Sequence, residues 1–135
     1  MNWKLIAPLA GFGVLMGVAS VLGFTAGIEG LLWLFIGLIC VGAIVWKAPG
    51  RSFQHGFLVG LIGGAVAPLV QFLFFSTYIA NNPELSARFS EIPGGLGARY
   101  FVLVLAPIIG LLSGFVLGLA CWAAAKMTGR SRANA

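Results

Sequence analysis

The longest apolar stretch of the chain is YFVLVLAPIIGLLSGFVLGLACWAAA, Tyr100–Ala125, which contains no Asp, Glu, Lys, Arg or His. About 20 such residues, at a helical rise of 1.5 Å each, cross a hydrocarbon core of ~30 Å. Three further runs of similar character precede it: Leu5–Phe24, Ile28–Trp46 and Gly56–Ile79. The sequence therefore predicts an all-α fold, an integral membrane four-helix bundle that forms a single domain over residues 1–135.

The composition of the chain agrees with a membrane location. Hydrophobic residues make up 60% of the chain and charged residues 8%, whereas soluble domains carry about 25% charged residues. The net charge of +5 comes from basic residues at the ends of the apolar runs and between them, and not from a continuous basic groove. The lipid bilayer is therefore the expected partner, and nucleic acid is not.

The distribution of Lys and Arg predicts how the helices are oriented. Short cytoplasmic loops carry an excess of basic residues. Six of the eight basic residues lie in the terminal tails and in the loop after the second run, which an even number of spans places on one side: Lys4, Lys47, Arg51, Lys126, Arg130 and Arg132. Both termini are predicted to be cytoplasmic, in a multi-pass protein of a bacterial cytoplasmic (inner) membrane.

The first run has an alternative interpretation as a signal peptide. Met1–Lys4 precedes an apolar stretch that contains the small residues Val18-Ala19-Ser20. The apolar part of a signal peptide is about 7–15 residues long. The run continues to Phe24, so a retained helix is favoured.

The loop between the third and fourth runs contains a predicted short helix. Asn82 is suited to an N-cap and Pro83 to the first helical position, and Pro93-Gly94-Gly95 would end the segment. Leu85 and Phe89 share one apolar face. We expect either an amphipathic helix lying on the outer membrane surface with this face down, or a lid that packs on the ends of the bundle.

Glycines at four-residue spacing in the third and fourth runs form a predicted packing motif, a glycine zipper. Small residues let the backbones of membrane helices approach closely. The motif comprises Gly56, Gly60, Gly64, Gly110, Gly114 and Gly118, with a shorter version at Gly13 and Gly17 in the first run. Counting depth from the cytoplasmic side pairs Gly60 with Gly118 and Gly64 with Gly114. The sequence leaves open whether this contact lies within one chain or between protomers.

Two polar residues within the predicted spans are candidate functional groups. Gln71 continues the glycine stripe of the third run, and Ser113 lies on the facing side of the fourth. They could hydrogen-bond the helices together, an interaction typically worth about 0.6 kcal/mol, or line a path for a solute. The hydrogen-bonding interpretation is favoured, because a pathway usually shows more than one strongly polar group.

Side chains suited to catalysis or metal binding are few and scattered. His55 is the single histidine and has no Asp or Glu close to it in sequence, so it is predicted to be an interfacial residue rather than a general base. Cys40 and Cys121 lie within spans and are expected to be small buried apolar residues. Glu29 lies too near the interface for a central proton site. We expect no enzymatic activity, no cofactor and no metal site.

Part of the chain resembles a known bacterial family. The resemblance rests on Ser52-Phe53-x-x-Gly56-Phe57-x-x-Gly60 and, after the third run, on Tyr78-Ile79-x-x-Asn82-Pro83-Glu84. These motifs are similar to those of the family labelled domain of unknown function 4199, and the resemblance covers about half of the chain. It implies a membrane location and a four-helix architecture, and it implies no activity and no catalytic residue.

These expectations favour a structural or accessory role by helix packing, in which the chain forms a homo-oligomer or joins a larger membrane complex. The alternative is an oligomeric channel or transporter for a small solute or ion, which would be lined by Gln71, Ser76, Thr77 and Ser113. A third hypothesis is lipid binding between helices, with Arg51 and His55 near the headgroups.

Overall fold

Over residues 1–92 and 97–130, the parts of the chain that it describes, the computed structural model contains seven α-helices and no strand. A short 3-10 turn, Pro49–Arg51, precedes the fourth helix. The helices are α1 (Trp3–Ala10), α2 (Phe12–Val21), α3 (Glu29–Lys47), α4 (Ser52–Leu73), α5 (Phe75–Asn81), α6 (Pro83–Ser90) and α7 (Ala98–Met127). The all-α fold predicted from the sequence is confirmed.

Four helical segments are long and apolar enough to cross a membrane. A helix satisfies its own backbone hydrogen bonds, which an apolar segment requires away from water. The segments have 19, 19, 25 and 30 residues, and we call them spans 1 to 4: Trp3–Val21, Glu29–Lys47, Pro49–Leu73 and Ala98–Met127. The four apolar runs of the sequence therefore correspond to four helical spans.

Span 1 ends earlier than the sequence predicted, since α2 ends at Val21 and not at Phe24. Gly23 adopts a φ of 80°, a left-handed conformation that glycine reaches without steric cost. The N–H of Phe24 donates to the carbonyl of Ala19, and the N–H of Gly23 donates to the carbonyl of Ser20. This is the Schellman pattern, which closes a helix at a left-handed glycine.

Span 3 begins about one turn earlier than predicted, and a separate helix follows it. α4 begins at Ser52 rather than at Gly56, and α5 continues the chain after a break at Phe74. Beside the break, the carbonyl of Phe72 accepts a hydrogen bond from Nε of Arg99 at 3.2 Å. A side chain from span 4 thus bonds to a backbone group next to the point where the α4 helix stops.

The short helix α6 lies where the sequence predicted one between spans 3 and 4. It begins at Pro83, and its Phe89 ring lies 6.0 Å from the ring of Phe75 on α5. This contact packs α6 against α5. The predicted stop at Pro93-Gly94-Gly95 lies outside the described residues.

Three of the spans pack closely, and span 2 is attached at their side. The contact between α4 and α7 is the most extensive helix contact among the described residues, and α1 and α2 also pack on α4. In span 2, 17% of the most apolar 18-residue window is buried, against 50% in span 1. The α3 helix is therefore the peripheral element of the bundle.

A cluster of buried side chains attaches α3 at one end of the bundle. Its members are Leu5, Ile6, Cys40, Ile44, Val59 and Cys121. At the same end, the Arg130 guanidinium lies 5.6 Å from the ring of Trp46, and Lys47, Arg51 and Asn2 surround one shallow depression. We call this the basic end, and we call the opposite end, where α3 begins, the Glu29 end.

Candidate functional site

Glycines of α4 and α7 lie in direct backbone contact. A Cβ atom added to Gly60 would lie 2.8 Å from the Cα of Gly114, and one added to Gly56 would lie 3.0 Å from the Cα of Gly118. The structure therefore brings predicted packing glycines together within one chain. The pairing is offset from the predicted one, in which Gly60 faced Gly118 and Gly64 faced Gly114.

The offset follows from where span 3 begins. Because α4 starts at Ser52 rather than at Gly56, each glycine of α4 lies about one turn deeper than the depth count assumed. Gly64 consequently faces Ser113, whose Oγ would lie 2.7 Å from an added Cβ, and Gly110 faces the Leu61 carbonyl oxygen, also at 2.7 Å. Each of these approaches is closer than an ordinary Cβ contact of 3.4–4 Å.

A second glycine face of α4, which the sequence reasoning missed, packs against span 1. A Cβ added to Gly13 would lie 2.6 Å from the Cα of Gly63, and one added to Gly17 would lie 3.2 Å from the Cα of Ala67. The signal in the sequence is the Gly63-Gly64 pair, because adjacent glycines on a helix point to different faces. One face of α4 thus contacts span 1 and the other contacts span 4.

Gln71 bonds to span 1 and not to span 4. Its Nε2 donates to Oγ of Ser20 at 3.0 Å, so the favoured interpretation of Gln71 as an interhelical hydrogen-bonding residue is confirmed, but the bond joins span 3 to span 1 and not to span 4. Of the side chains suggested for a channel lining, Gln71 and Ser113 border the cleft described below, whereas Ser76 and Thr77 are exposed on α5. The four side chains therefore do not line one passage.

A cleft of about 700 Å³ separates α3 from the rest of the bundle. One wall is α3 from Glu29 to Val41, about 18 Å long at 1.5 Å per residue. The opposite wall is α7 from Val102 to Ala120, and the floor is formed by α4, including Val59. Small residues leave room in the α3 wall, since a Cβ added to Gly30 or Gly37 would meet nothing within 4 Å.

Polar side chains gather at the Glu29 end of this cleft. The half-buried Glu29 and the side chain of Trp33 both border the cleft there. Tyr78, which is buried, borders the cleft as well. Glu29 and Trp33 are four residues apart, a spacing that places two side chains on one helix face. This spacing is the feature of the sequence that could have predicted their shared position in the cleft.

Asparagines at the end of α5 hold this region against span 1. Asn82 is the N-cap residue of α6 and Pro83 its first residue, as predicted, but the Asn82 side chain makes no capping bond. Its Nδ2 donates instead to the carbonyls of Ser20 at 2.9 Å and Tyr78 at 2.8 Å. Nδ2 of Asn81 donates to the carbonyl of Val21 at 3.0 Å. Both acceptors on span 1 belong to its last turn, where the helix supplies no N–H four residues further on, and the Ser20 carbonyl also accepts the N–H of Gly23.

His55 is buried at the basic end of the bundle. Its Nε2 accepts a hydrogen bond from the backbone N–H of Asn2 at 3.1 Å, and its Nδ1 lies 2.9 Å from the carbonyl oxygen of Arg51. A carbonyl only accepts and a backbone N–H only donates, so these partners assign the proton of a neutral ring to Nδ1. His55 ties the N-terminal segment to the start of α4.

The two cysteines are buried in the cluster that attaches α3, as predicted. Within residues 1–92 and 97–130, no three His, Cys, Asp or Glu side chains are grouped closely enough to hold a metal ion. The cleft between α3 and α7 has the size, apolar lining and few convergent polar groups of a ligand site.

The fold and the cleft together define a small all-helical protein with four helices long and apolar enough to span a membrane. No family model matches the chain, and no curated protein and no solved structure is similar to it. The resemblance to the family labelled domain of unknown function 4199 therefore stays a prediction.

Proposed function

We propose that the chain is a non-enzymatic accessory protein of a bacterial cytoplasmic membrane, and that it holds an amphipathic membrane molecule in the cleft between α3 and α7. The observation that supports this role is the cleft itself. Its volume of about 700 Å³ falls within the range of about 300–1,000 Å³ that is typical of ligand sites. Its lining is apolar along most of its length and polar at one end.

The proposed orientation places the basic end in the cytoplasm. Lys47 and Arg51 lie near the N-terminal segment at this end, and Arg130 reaches Trp46 there. Basic residues concentrate on the cytoplasmic side of membrane proteins. The Glu29 end of the cleft would then lie at the outer leaflet, where an amphipathic molecule presents its headgroup.

The glycine contacts support the cleft as a stable feature of the bundle. Helices in lipid gain little from hydrophobic burial against each other, so close packing has to hold them together. The close backbone contacts at Gly13, Gly60 and Gly114 would hold spans 1, 3 and 4 together in this way, as in a glycine zipper. Span 2 lacks comparable contacts at Gly30, Gly37 and Gly42, where an added Cβ would meet nothing within 4 Å. The cleft therefore lies between a firmly packed unit and a less tightly packed helix.

A pair of matched substitutions in α3 tests this proposal. Gly37 borders the cleft, whereas Gly42 does not, and an added Cβ is unobstructed at both positions. We expect Gly37→Phe to fill the cleft and to reduce quenching of Trp33 fluorescence by an uncharged amphiphile with a brominated chain. Gly42→Phe should leave the quenching unchanged.

Equal quenching in both variants would overturn the cleft as a binding site. The occupant can also be identified by native mass spectrometry after mild detergent extraction. A second protein that is released by Gly37→Phe would show that the cleft holds a partner helix, in agreement with the accessory-subunit hypothesis and against a small amphiphile. A retained lipid-sized mass that is lost in the same variant would support the proposal.

A further inference from the structure

The Glu29 end of the cleft combines one carboxylate with several aromatic rings. Among the described residues that border the cleft, Glu29 is the single charged side chain. Trp33, Tyr78 and Phe89 also border it. Trp33 lies one helical turn from Glu29 on the same face of α3, and the rings of Tyr78 and Phe89 lie 6.4 Å and 6.0 Å from the ring of Phe75. The surroundings of Glu29 in the cleft are therefore aromatic and not basic.

The arginine at the start of α7 is engaged elsewhere. The Arg99 guanidinium lies 4.7 Å from the ring centre of Phe72, and its Nε donates to the Phe72 carbonyl. Arg99 does not border the cleft. A carboxylate in an apolar site is stabilised by a cation, and a ligand that carries one would supply it.

Carboxylate and aromatic faces together form a recognition site for an ammonium group. Aromatic rings attract cations through the negative potential of their faces, and cages of such rings recognise quaternary ammonium groups. We propose that the Glu29 end of the cleft binds the ammonium head of a cationic amphiphile, whose hydrocarbon chain lies along the cleft toward Val59. This inference rests on the proposed function of the cleft.

The headgroup has to provide most of the selectivity. A hydrocarbon chain gains little by moving from lipid into an apolar cleft, because lipid tails are as apolar as the side chains that line it. The ammonium group gains the carboxylate and the ring faces, which bulk lipid does not offer. A desolvated cation–π contact is strong enough to favour the cationic head over an uncharged one by on the order of tenfold.

The four tryptophans of the chain allow this preference to be measured at the site itself. One variant keeps Trp33 alone, with Trp3, Trp46 and Trp122 replaced by Phe. A reference variant keeps Trp122 alone, which lies near the other end of α7 beside Lys126. Each is titrated in micelles of an uncharged sugar detergent with three chain-brominated amphiphiles of equal chain length, which carry a trimethylammonium, a hydroxyl or a sulfate head.

We expect the trimethylammonium amphiphile to quench Trp33 at about one-tenth of the mole fraction that the hydroxyl amphiphile requires, and the sulfate amphiphile to be the weakest. Trp122 should show no such order. In Glu29→Gln, which keeps the shape of the side chain and removes its charge, the advantage of the ammonium head should largely disappear. Binding of the hydroxyl amphiphile should persist, which also shows that the variant is folded.

The possible outcomes separate this inference from the proposed function. If all three amphiphiles quench Trp33 equally, and more than they quench Trp122, the cleft binds amphiphiles but the headgroup assignment is overturned. If no amphiphile quenches Trp33 more than Trp122, the proposed function is overturned as well. If the ammonium preference persists in Glu29→Gln, the Glu29 carboxylate does not recognise the headgroup, and the proposed role of Glu29 is overturned.

Discussion

Replacing a glycine at the α4–α7 contact by alanine should separate the two spans. A Cβ on Gly60 would lie 2.7 Å from the carbonyl carbon of Ser113 and 2.8 Å from the Cα of Gly114. Both are backbone atoms, which cannot rotate away as a flexible side chain can. The Ser113 carbonyl oxygen lies closer still, so the helices would have to move apart by more than about 0.7 Å to reach the shortest ordinary contact of 3.4 Å.

The expected cost follows from this displacement. Overpacking of a tight contact typically costs about 1–3 kcal/mol. Gly42→Ala is the matched control, because an added Cβ there meets nothing within 4 Å and alanine favours the helix by up to about 1 kcal/mol relative to glycine. Gly60→Ala gains the same helix propensity, so the free energies of unfolding of Gly60→Ala and Gly42→Ala should differ by the overpacking cost alone, about 1–3 kcal/mol.

Unfolding can be followed by tryptophan fluorescence in mixed micelles with an increasing fraction of dodecyl sulfate. Gly118→Ala should be milder than Gly60→Ala, because its added Cβ would meet the Phe53 ring and carbonyl oxygen at 3.1 Å, and the ring can shift. If Gly60→Ala is as stable as Gly42→Ala, the close approach of α4 and α7 does not hold the bundle together, and the argument from backbone contact is refuted.

Two further predictions concern the hydrogen bond between spans 1 and 3 and the orientation of the bundle. A double-mutant cycle of Gln71→Leu and Ser20→Ala should give a coupling energy of about 0.6 kcal/mol in the same unfolding assay, and a value near zero would contradict the contact at 3.0 Å. A cysteine introduced by Ser86→Cys, which is exposed on α6, should react with a membrane-impermeant thiol reagent in intact cells. Gly50→Cys, exposed at the basic end, should react only after the membrane is opened, and the reverse pattern would show that the proposed orientation is wrong.

The four helical spans were predictable because they depend on composition alone. An apolar run of sufficient length forms a helix wherever water is excluded, whatever its neighbours are. The ends of the helices were not predictable in the same way. The end of α2 depends on the left-handed conformation of Gly23, and its last carbonyls are satisfied by Asn81 and Asn82 from a distant segment.

In the candidate site, too, some features were predictable from the sequence and others were not. The glycine spacing indicated which faces of α4 and α7 would meet, but the register depended on the exact start of α4 at Ser52. The pairing of Glu29 with Trp33 was visible as a four-residue spacing. The placement of Tyr78 beside the same cleft was not visible, because it depends on how α5 packs against span 1 after the break at Phe74.

The way in which α3 is attached explains why chemistry, and not a tight steric fit, should select the occupant of the cleft. The buried residues of α3 are Cys40, Ile44 and Val45, all in its C-terminal half, so the width of the cleft is fixed at the basic end. Toward the Glu29 end the wall of α3 contains Gly30 and Gly37, which contact nothing that would limit a larger side chain. Chains of different length and heads of different bulk can therefore enter the open end. Discrimination then depends on the charge of the head, because a carboxylate and aromatic faces separate a cation from an anion even where shape does not.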